Sequence, residues 1–374
     1  MHIICVSSIS GGGSGVSQRQ LAQRLTERGH TVEILAATRS SRWIRPWYDH
    51  QVDLSTRVRT SRLRPFLLAL QRPVGRRIRS MPTDDYPTWV AAVPENGYRA
   101  LARRQRPDVV VASSIERVSW RRLRTVLRIA GIPSVLYIRE ASGLGHLSVS
   151  HAPPDLLLAN AQSHATKARE LGFECEVVPS VVEFERAITD TAREVVLVVN
   201  PIALLGGDRV WPIARARPDI PFVLQESGLL NEDERSALHR LAAAHANVTI
   251  RSFSTEPGAM LRDTRVLMVP HRVDNRPRVI LEAQANGIPV VASDYPGLVE
   301  SVGAGGLIVA DADATDAWVS ALASVWDDHE MYTDLVERAR AHAARDEVSP
   351  EQIAARFEQL LFGLLRAQGG IAAT

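Results

Sequence analysis

The chain has 374 residues, of which 45% are hydrophobic and 23% charged, and its formal net charge at pH 7 is +2. This length exceeds what one typical hydrophobic core supports, so it predicts two domains. The near-neutral charge balance gives no case for a nucleic-acid partner, and no apolar run is long enough to predict a membrane span. The first residues lack the charged start and long apolar core of a signal peptide, so we expect a cytoplasmic protein.

The cysteines and the spacing of potential metal ligands point to neither a disulfide nor a metal centre. Cys5 and Cys175 both fall in predicted strands, which argues against a structural disulfide between them. No group of His, Cys and Asp residues has the spacing of a metal site, and no Ser–His–Asp arrangement stands out. The sequence therefore predicts no metal and no cofactor apart from the substrates themselves.

The N-terminal half alternates predicted strands and helices. A strand over 2–7 is followed by the glycine-rich turn Gly11–Gly15, a helix over 16–28 and a second strand over 32–36. A glycine-rich first turn in a strand–helix–strand unit is typical of the opening of a doubly wound sheet. The alternation continues with predicted helices over 86–106, 118–130 and 163–171, and predicted strands over 108–112, 134–138, 155–159 and 175–178.

The stretch from Arg39 to Met81 interrupts this alternation with eleven arginines and four aromatic residues. One hypothesis is a basic and aromatic face for an acceptor, a partner or an anionic surface, which would permit peripheral membrane association. We favour the alternative of a solvated amphipathic helix and loop in which arginine replaces lysine, because Lys167 is the only lysine of the chain.

A second alternating unit follows a proline-containing passage over 179–193, which we interpret as a hinge. Its predicted strands lie over 194–199, 221–225, 248–251, 266–269, 289–292 and 306–309, with helices between them and three more helices at the C-terminal end. We predict an α/β protein with two facing, Rossmann-like, doubly wound parallel sheets and a cleft between them. The predicted parts are an N-terminal acceptor domain over 1–185, a C-terminal donor domain over 186–348, and a C-terminal helix over 349–374 that packs back on the N-terminal domain.

One stretch of the second unit combines a predicted helix start with an acidic residue farther along the same helix. Asp274 and Asn275 are suitable N-cap residues, and Pro277 is a favoured first residue of a helix. Glu282 lies within that helix, eight residues after Asp274. A helix N-terminus can receive an anion, and an acid one turn deeper can accept hydrogen bonds from sugar hydroxyls. The combination predicts a nucleotide-sugar site.

These residues resemble the donor-binding signature of the family 4 retaining glycosyltransferases, which have the GT-B fold. That signature has an acid, a Phe-Gly pair and a second acid eight residues after the first, and then Ala, a small residue, Gly-x-Pro-Val-Val-Ala-Ser and Gly-Gly-x-x-Glu. The matching segments are Glu282-Ala283, Gly287–Ser293 and Gly297–Glu300. The turn at Gly11–Gly15 and the segment Gly29–Val32 resemble the N-terminal hallmark of the same family.

The resemblance implies that Glu282 binds the ribose of the nucleotide and that Asp274 takes the catalytic first-acid position near the donor sugar. Without function, Glu282 would be a surface carboxylate and Asp274 a helix cap. The backbone amides at the helix start would contact the diphosphate, and glycine amides would approach the donor from the N-terminal domain. The implied donor-binding residues are Gly11, Gly12, Gly13, Asn200, Arg209, Asn275, Arg276, Arg278, Val279, Ile280 and Glu282.

The chain departs from the family in its basic residues. Arg276-Pro277 replaces the usual Phe-Gly pair, and the first acid is Asp274 instead of Glu. The arginine and lysine that clamp the diphosphate in relatives align with Asn200 and Leu205, neither of which is basic. Another cation must then neutralise the diphosphate, and the candidates by position are Arg209, Arg272, Arg276 and Arg278.

The family's mid-domain histidine and the acid after it align with Arg139-Glu140. We take Arg139 and Glu140 as catalytic candidates, with a structural ion pair as the alternative. His146 lies nearby but is out of register with the family pattern.

The resemblance therefore implies a metal-independent, retaining glycosyltransferase. It would move a sugar from a nucleoside diphosphate sugar, GDP being slightly preferred over UDP, to an unidentified acceptor such as a small natural product or a thiol. The alternatives are a nucleotide-sugar epimerase or pseudo-glycosyl coupling enzyme on the same fold, and a non-catalytic glycosyltransferase partner subunit. A dinucleotide oxidoreductase is disfavoured because Ala36–Thr38 stands where that class has an acid. The sequence carries no signal for an oligomeric state.

Overall fold

The computed structural model describes residues 1–7, 12–37, 78–81, 88–147, 153–226 and 230–369. The chain forms two compact units. Unit 1 contains Met1–Asn160, His164–Val181 and Pro350–Thr374, and unit 2 contains Ala161–Ser163 and Val182–Ser349. The domain boundaries predicted after residues 185 and 348 fall close to these divisions.

Unit 1 is built on a largely parallel sheet. Its strands are β1 (His2–Ser7), β2 (Thr31–Ala37), β3 (Arg79–Met81), β4 (Thr88–Ala91), β5 (Val109–Ser113), β6 (Ser134–Ile138), β7 (Leu156–Ala159) and β8 (Glu176–Val177). The helices in this part of the chain are α1 (Gly12–Glu27), α2 (Pro94–Ala102), α3 (Arg117–Ala130) and α4 (Gln162–Glu170). The sheet order is β3-β4-β2-β1-β5-β6-β7-β8, and the short strand β3 runs antiparallel to β4.

Two predictions for unit 1 were wrong. The first helix begins at Gly12, not at residue 16, because Gly12 adopts a left-handed φ of +72° that turns the chain directly into the helix. The helix predicted over 86–106 begins only at Pro94, where proline suits a first turn. The residues before it form β4, which pairs in parallel with β2 and carries the strand-favouring Trp89 and Val90.

The arginine-rich stretch from Arg39 to Met81 lies largely outside the described residues. Its last four residues are described, and three of them form β3 at the edge of the sheet. The alternative interpretations of this stretch therefore stay predictions.

Unit 2 is built on a sheet of six parallel strands. They are β9 (Val195–Val199), β10 (Phe222–Gln225), β11 (Val248–Arg251), β12 (Thr264–Val269), β13 (Val290–Ser293) and β14 (Gly306–Val309). Its helices are α5 (Val210–Ala216), α6 (Glu232–Ala243), α7 (Pro257–Leu261), α8 (Arg278–Ala285), α9 (Pro296–Val302), α10 (Thr315–Trp326) and α11 (His329–Ala343). The order β11-β10-β9-β12-β13-β14 is that of a doubly wound Rossmann sheet, which reverses between β9 and β12.

The last helix, α12 (Pro350–Ala367), returns to unit 1 and packs beside α1. Phe357 and Leu361 on its inner side are fully buried in the core of unit 1. Glu358 accepts hydrogen bonds of 2.6 Å from both Arg28 and His30, which hold the middle of the helix in place. These two contacts outweigh the effect of burial and lower the pKa of Glu358.

Both sheets carry apolar cores on their two faces. In unit 1, α2 and α3 cover one face, whereas α1 and α12 cover the other. Strands covered on both faces read as continuous apolar runs, and all six residues of β1 are buried. The prediction of an α/β chain with two doubly wound, Rossmann-like units and a returning C-terminal helix is confirmed. Of the helices in the described ranges, none is both long and apolar enough to cross a bilayer.

Candidate donor site at the switch point of unit 2

The candidate site lies where the strand order of unit 2 reverses. The loops that leave the carboxyl ends of β9 and β12 are neighbours there, because those two strands are paired. Ligands of open α/β sheets bind outside the carboxyl ends of the strands at such a reversal. The loop after β12 contains Asp274 and leads into α8, so the residues that the sequence singles out lie at this position.

The start of α8 differs from the prediction. The helix begins at Arg278, and Pro277 is the N-cap residue with φ −72° and ψ 132° and no side-chain capping bond. Asp274 and Asn275 are therefore not helix caps, since the proline ring holds the chain extended one residue longer than predicted. The amides of Arg278, Val279 and Ile280 do form the first turn, and that of Ile280 donates weakly to the Pro277 carbonyl at 3.3 Å.

Asp274 is held by the next helix along the chain. Its Oδ1 atom accepts a 2.8 Å hydrogen bond from the backbone N–H of Gly297, in the first turn of α9. A Cβ atom at Gly297 would lie 2.8 Å from that oxygen and 2.7 Å from the Asn275 carbonyl oxygen. Gly297 therefore allows the close approach that orients Asp274, a role that the signature match alone does not reveal.

Glu282 is buried, with 5% of its surface exposed, and one of its oxygens is fixed. Its Oε1 atom accepts hydrogen bonds from Arg278 Nη2 at 2.9 Å and from Arg278 Nε at 3.2 Å. Within the described residues, Oε2 accepts no hydrogen bond from the protein. A carboxylate oxygen in this state has acceptor capacity for a ligand hydroxyl. The geometry thus fits the ribose-binding role implied for Glu282, and it makes Arg278 the residue that orients it.

Arg276 is also paired with a carboxylate. Its Nη1 atom lies 3.1 Å from Glu300 Oε1, and its side chain is 7% exposed. Glu300 belongs to α9, so this helix contacts both Asp274 and Arg276 from the segment before α8. The two arginines nearest the helix start therefore carry counter-ions, Glu300 and Glu282.

Arg209 and Arg272 connect loops at the carboxyl edge of the sheet. Arg209 is buried and donates to the Pro270 carbonyl at 2.8 Å and to Asp313 at 2.5 Å. Arg272 donates to Asp208, and this bond lowers the pKa of Asp208 well below its usual range. Both guanidinium groups thus support the loops around the site, and their contact with a donor stays a prediction.

The loop after β9 fits tightly against the loop after β12. Asn200 adopts a left-handed φ of +57°, and its backbone N–H donates to the Gln225 carbonyl at 3.1 Å. A Cβ at Gly206 would lie 1.8 Å from the Pro270 carbonyl oxygen, so only glycine fits there. Beside it, the buried His271 donates through Nδ1 to Asn275 Oδ1 at 3.1 Å, and burial lowers the pKa of His271. His271 therefore positions Asn275 within this loop.

The mid-domain candidates lie at the carboxyl end of β6 in unit 1. Arg139 is buried, donates to Ser180 Oγ at 3.1 Å, and stacks over Tyr137 with its guanidinium carbon 4.3 Å from the ring centre. Glu140 is exposed and precedes a 3-10 helix over 141–146. Both nitrogens of His146 lie 2.6 Å from carbonyl oxygens, those of Gly143 and Ile115, so this histidine holds the backbone of that loop.

The glycine-rich turn leaves the carboxyl end of β1, where the sheet of unit 1 reverses between β1 and β5. Gly11 lies outside the described residues. Gly12 and Gly13 are exposed in the first turn of α1, where their amides can approach a ligand. Among the described residues, no group of three or more His, Cys, Asp or Glu side chains could hold a metal ion.

The fold is that of the GT-B glycosyltransferases, which confirms the predicted fold class. Sucrose-phosphate synthase from Thermosynechococcus elongatus superimposes with a TM-score of 0.75 at 14% identity, covering 98% of this chain and 100% of that one. Anabaena HepE in complex with UDP-glucose superimposes with a TM-score of 0.71 at 15% identity, covering 97% of this chain and 100% of that one.

The match to a sequence family lies within unit 2. Residues 209–328, which include Arg276 and the whole of α8, match the family described as glycosyl transferases group 1. A segment of 88 residues is 40% identical to the D-inositol 3-phosphate glycosyltransferase of Corynebacterium glutamicum (strain R). That segment is 22% of this chain and 21% of the relative, so the match spans about a fifth of the relative's length.

Proposed function

We propose that the protein is a metal-independent, retaining glycosyltransferase that moves a sugar from a nucleoside diphosphate sugar to an acceptor. The observation that carries the proposal is the state of Glu282. It is a buried carboxylate inside the segment that matches the group 1 family, with one oxygen fixed by Arg278 and the other open. The GT-B fold and the carboxyl-end position of the site support the same conclusion.

In this proposal, Glu282 Oε2 accepts the hydrogen bond of a ribose hydroxyl. The diphosphate lies at the start of α8, where backbone N–H groups without helical partners and the helix dipole favour an anion. Asp274, oriented by the Gly297 N–H at 2.8 Å, accepts a hydrogen bond from the donor sugar. These three contacts fix the donor along its length, and positioning of this kind is a large part of catalysis by such sites.

The reaction proposed is a front-face substitution. The bond between the anomeric carbon and the diphosphate oxygen breaks, and the acceptor oxygen or sulfur bonds to that carbon on the same face. The leaving phosphate takes the proton of the acceptor, so no protein base is required. Amides and arginines that stabilise the departing diphosphate then supply most of the catalytic effect.

The diphosphate clamp must differ from that of the family. Asn200 and Leu205 are uncharged, and Arg276 is paired with Glu300. We propose that Arg276 exchanges Glu300 for the diphosphate when the donor binds. Because this exchange replaces one carboxylate contact with a phosphate contact, its net gain is small.

The experiment is titration calorimetry with GDP, UDP, ADP and dTDP and with their glucose conjugates. HepE was solved with UDP-glucose, which makes that conjugate a natural member of the panel; our slight preference is for GDP. We expect at least one nucleotide to bind, and Glu282→Gln to weaken it by about tenfold or more, in keeping with a lost charge-assisted hydrogen bond. Absence of binding by the wild type to every member of the panel would overturn the proposal.

A second candidate is a non-catalytic partner subunit of another glycosyltransferase, which the uncharged residues at Asn200 and Leu205 favour. Copurification with such an enzyme, and transfer activity that survives Glu282→Ala in this chain, would support that role. Epimerase or pseudo-glycosyl coupling activity is separated from transfer by analysing products formed without an acceptor.

A further inference from the structure

A strongly basic surface covers the outer side of α2 and α3 in unit 1. Residues 94–131 contain nine arginines and three acids, although the whole chain has a formal net charge of only +2. The inner sides of both helices bury Tyr98, Leu101, Trp120 and Leu123 in one core. The two helices therefore lie side by side on the same face of the sheet.

Four of the nine arginines have structural partners. Arg122 lies 3.7 Å from Glu95, and Arg124 lies 2.9 Å from Asp155. Arg104 stacks on Trp89 at 4.8 Å. Arg106 donates to the carbonyl groups of Ala130 and Gly131 at 2.9 and 3.2 Å, which places the C-terminal ends of α2 and α3 next to each other.

The other five arginines are exposed and form no ion pair within the described part of the chain: Arg99, Arg103, Arg117, Arg121 and Arg128. The three on α3 are spaced by four and seven residues, which puts them on one side of the helix. Arg99 and Arg103 are likewise one turn apart at the end of α2. We call these five residues, together with Val118 and Ile129, the basic face.

The two apolar members of the basic face are exposed, and Ile129 is the most exposed large apolar residue among those that the structure describes. Ile129 is 81% exposed, and Val118 is 37% exposed. Each follows an arginine of the face directly in the sequence, so it lies about 100° around α3 from that arginine and borders the row of arginines on the same flank. A polyanion such as a nucleic acid would contact the arginines but gain little from these aliphatic groups. The headgroup layer of a bilayer accepts both, because it presents phosphates above acyl chains.

We propose that the basic face docks the protein on the surface of a membrane that contains acidic phospholipids. The arginines contact lipid phosphates, and Ile129 and Val118 enter the layer below them. Each arginine near an anionic bilayer strengthens binding by about fivefold, so five unpaired arginines supply a substantial interaction. Docking is independent of the reaction that the site in unit 2 performs.

The test is flotation of the full chain with two kinds of vesicle. One contains phosphatidylcholine alone, and the other contains phosphatidylcholine with about one-third anionic phosphatidylglycerol. The protein should float with the anionic vesicles only, and 1 M salt, which shortens the Debye length to about 3 Å, should release it. The triple change Arg117→Gln, Arg121→Gln, Arg128→Gln should weaken binding by roughly a hundredfold. Ile129→Ser should weaken it as well, and that loss should persist at every salt concentration at which the wild type still binds.

The matched control removes the same charge elsewhere. Arg215, Arg240 and Arg262 are exposed arginines of unit 2, and their triple change to glutamine should leave vesicle binding unaltered. Leu171→Ser is the control for Ile129→Ser, because Leu171 is an exposed apolar residue outside the basic face. Glu282→Ala should float like the wild type, which separates this proposal from the proposed transfer reaction.

Three outcomes would overturn the proposal. They are equal binding to neutral and anionic vesicles, equal losses in the basic-face and control triple variants, and tighter binding to duplex DNA than to anionic vesicles. The last would identify the basic face as a polyanion site in which Ile129 has no role.

Discussion

At the residue scale, the candidate site depends on carboxylates whose orientation is set by a second residue. Glu282 is positioned by Arg278, and Asp274 by the amide of Gly297. Each acid therefore has one oxygen occupied by the protein. Preorganised acceptors of this kind lower the entropic cost of binding because they need no rearrangement when the ligand arrives.

Replacing Arg278 with glutamine should weaken nucleoside diphosphate binding by about tenfold, because Glu282 loses its charged partner and its fixed orientation. The loss should shrink when the ligand is a 2′,3′-dideoxy nucleoside diphosphate, which has no ribose hydroxyl for Glu282 to bind. Calorimetry with both ligands measures this coupling. Arg278→Lys should restore part of the affinity.

Arg338 offers a matched control, since it forms the same helical i,i+4 pair with an exposed acid, Asp334, at 2.9 Å. Arg338→Gln should leave nucleotide affinity unchanged. An equal loss with the normal and dideoxy ligands would show that Arg278 acts on another part of the donor.

Gly297→Ala should lower the transfer rate by about tenfold or more while leaving the protein folded. The added Cβ would lie 2.8 Å from Asp274 Oδ1, so the carboxylate must move from the position that the Gly297 amide gives it. A misplacement of this size near the reacting groups is costly to catalysis. The measurement is the initial rate with a saturating donor, next to a thermal melting curve.

Gly363→Ala is the control for this change. Gly363 lies in α12 and a Cβ there meets nothing within 4 Å, so alanine should keep the rate and raise the melting temperature slightly. Unchanged transfer by Gly297→Ala would remove Asp274 from the catalytic set.

At the element scale, the short helix α9 is the support of the site. Its first turn supplies the amide for Asp274, and Glu300 in its second turn supplies the carboxylate for Arg276. Its C-terminal end is in turn held by α11, where His342 packs so closely on Gly303 that a Cβ would lie 1.9 Å from the ring. The position of the donor-binding segment thus depends on contacts that extend through two helices.

The contact at His342 should make stability depend on pH. Burial and the charge of Arg345, whose Nη2 lies 2.8 Å from His342 Nε2, lower the pKa of His342 from 6.5 to about 4. The neutral ring is favoured in the folded state, so its contribution is complete above pH 6.5 and is lost as the pH falls toward 4. The loss should be about 3 kcal/mol of unfolding free energy.

Urea unfolding at several pH values between 4 and 7 measures this effect. His342→Gln should flatten the fall in stability over that interval, whereas His329→Gln, a change of an exposed histidine at the start of α11, should not. Parallel curves for the wild type and His342→Gln would contradict the assignment.

At the scale of the whole molecule, the sequence predicts the alternation of strands and helices well, because buried parallel strands read as continuous apolar runs. The sequence also predicts the start of α8, and with it the helical position of Glu282, to within a few residues. It misses β4, since Thr88–Ala91 is too short to show a period and precedes a helical pattern directly. Local sequence patterns therefore predict the presence of a helix or strand better than the residues at which it begins and ends.

The contacts between distant segments could not be predicted. Arg276 and Glu300 are 24 residues apart, and their pairing depends on how α8 and α9 follow neighbouring strands. The closeness of Gly297 to Asp274 has the same origin. Arg276 and Arg278 read as free cations in the sequence, because the sequence does not show which carboxylate each would meet.

The most direct test of the central claim is a crystal structure of the protein with its nucleoside diphosphate. We expect the diphosphate at the start of α8 and a ribose hydroxyl within hydrogen-bond distance of Glu282 Oε2. Arg276 should have left Glu300 for a phosphate oxygen. A nucleotide bound elsewhere, or bound at this site with its ribose out of reach of Glu282, would contradict the proposed donor site.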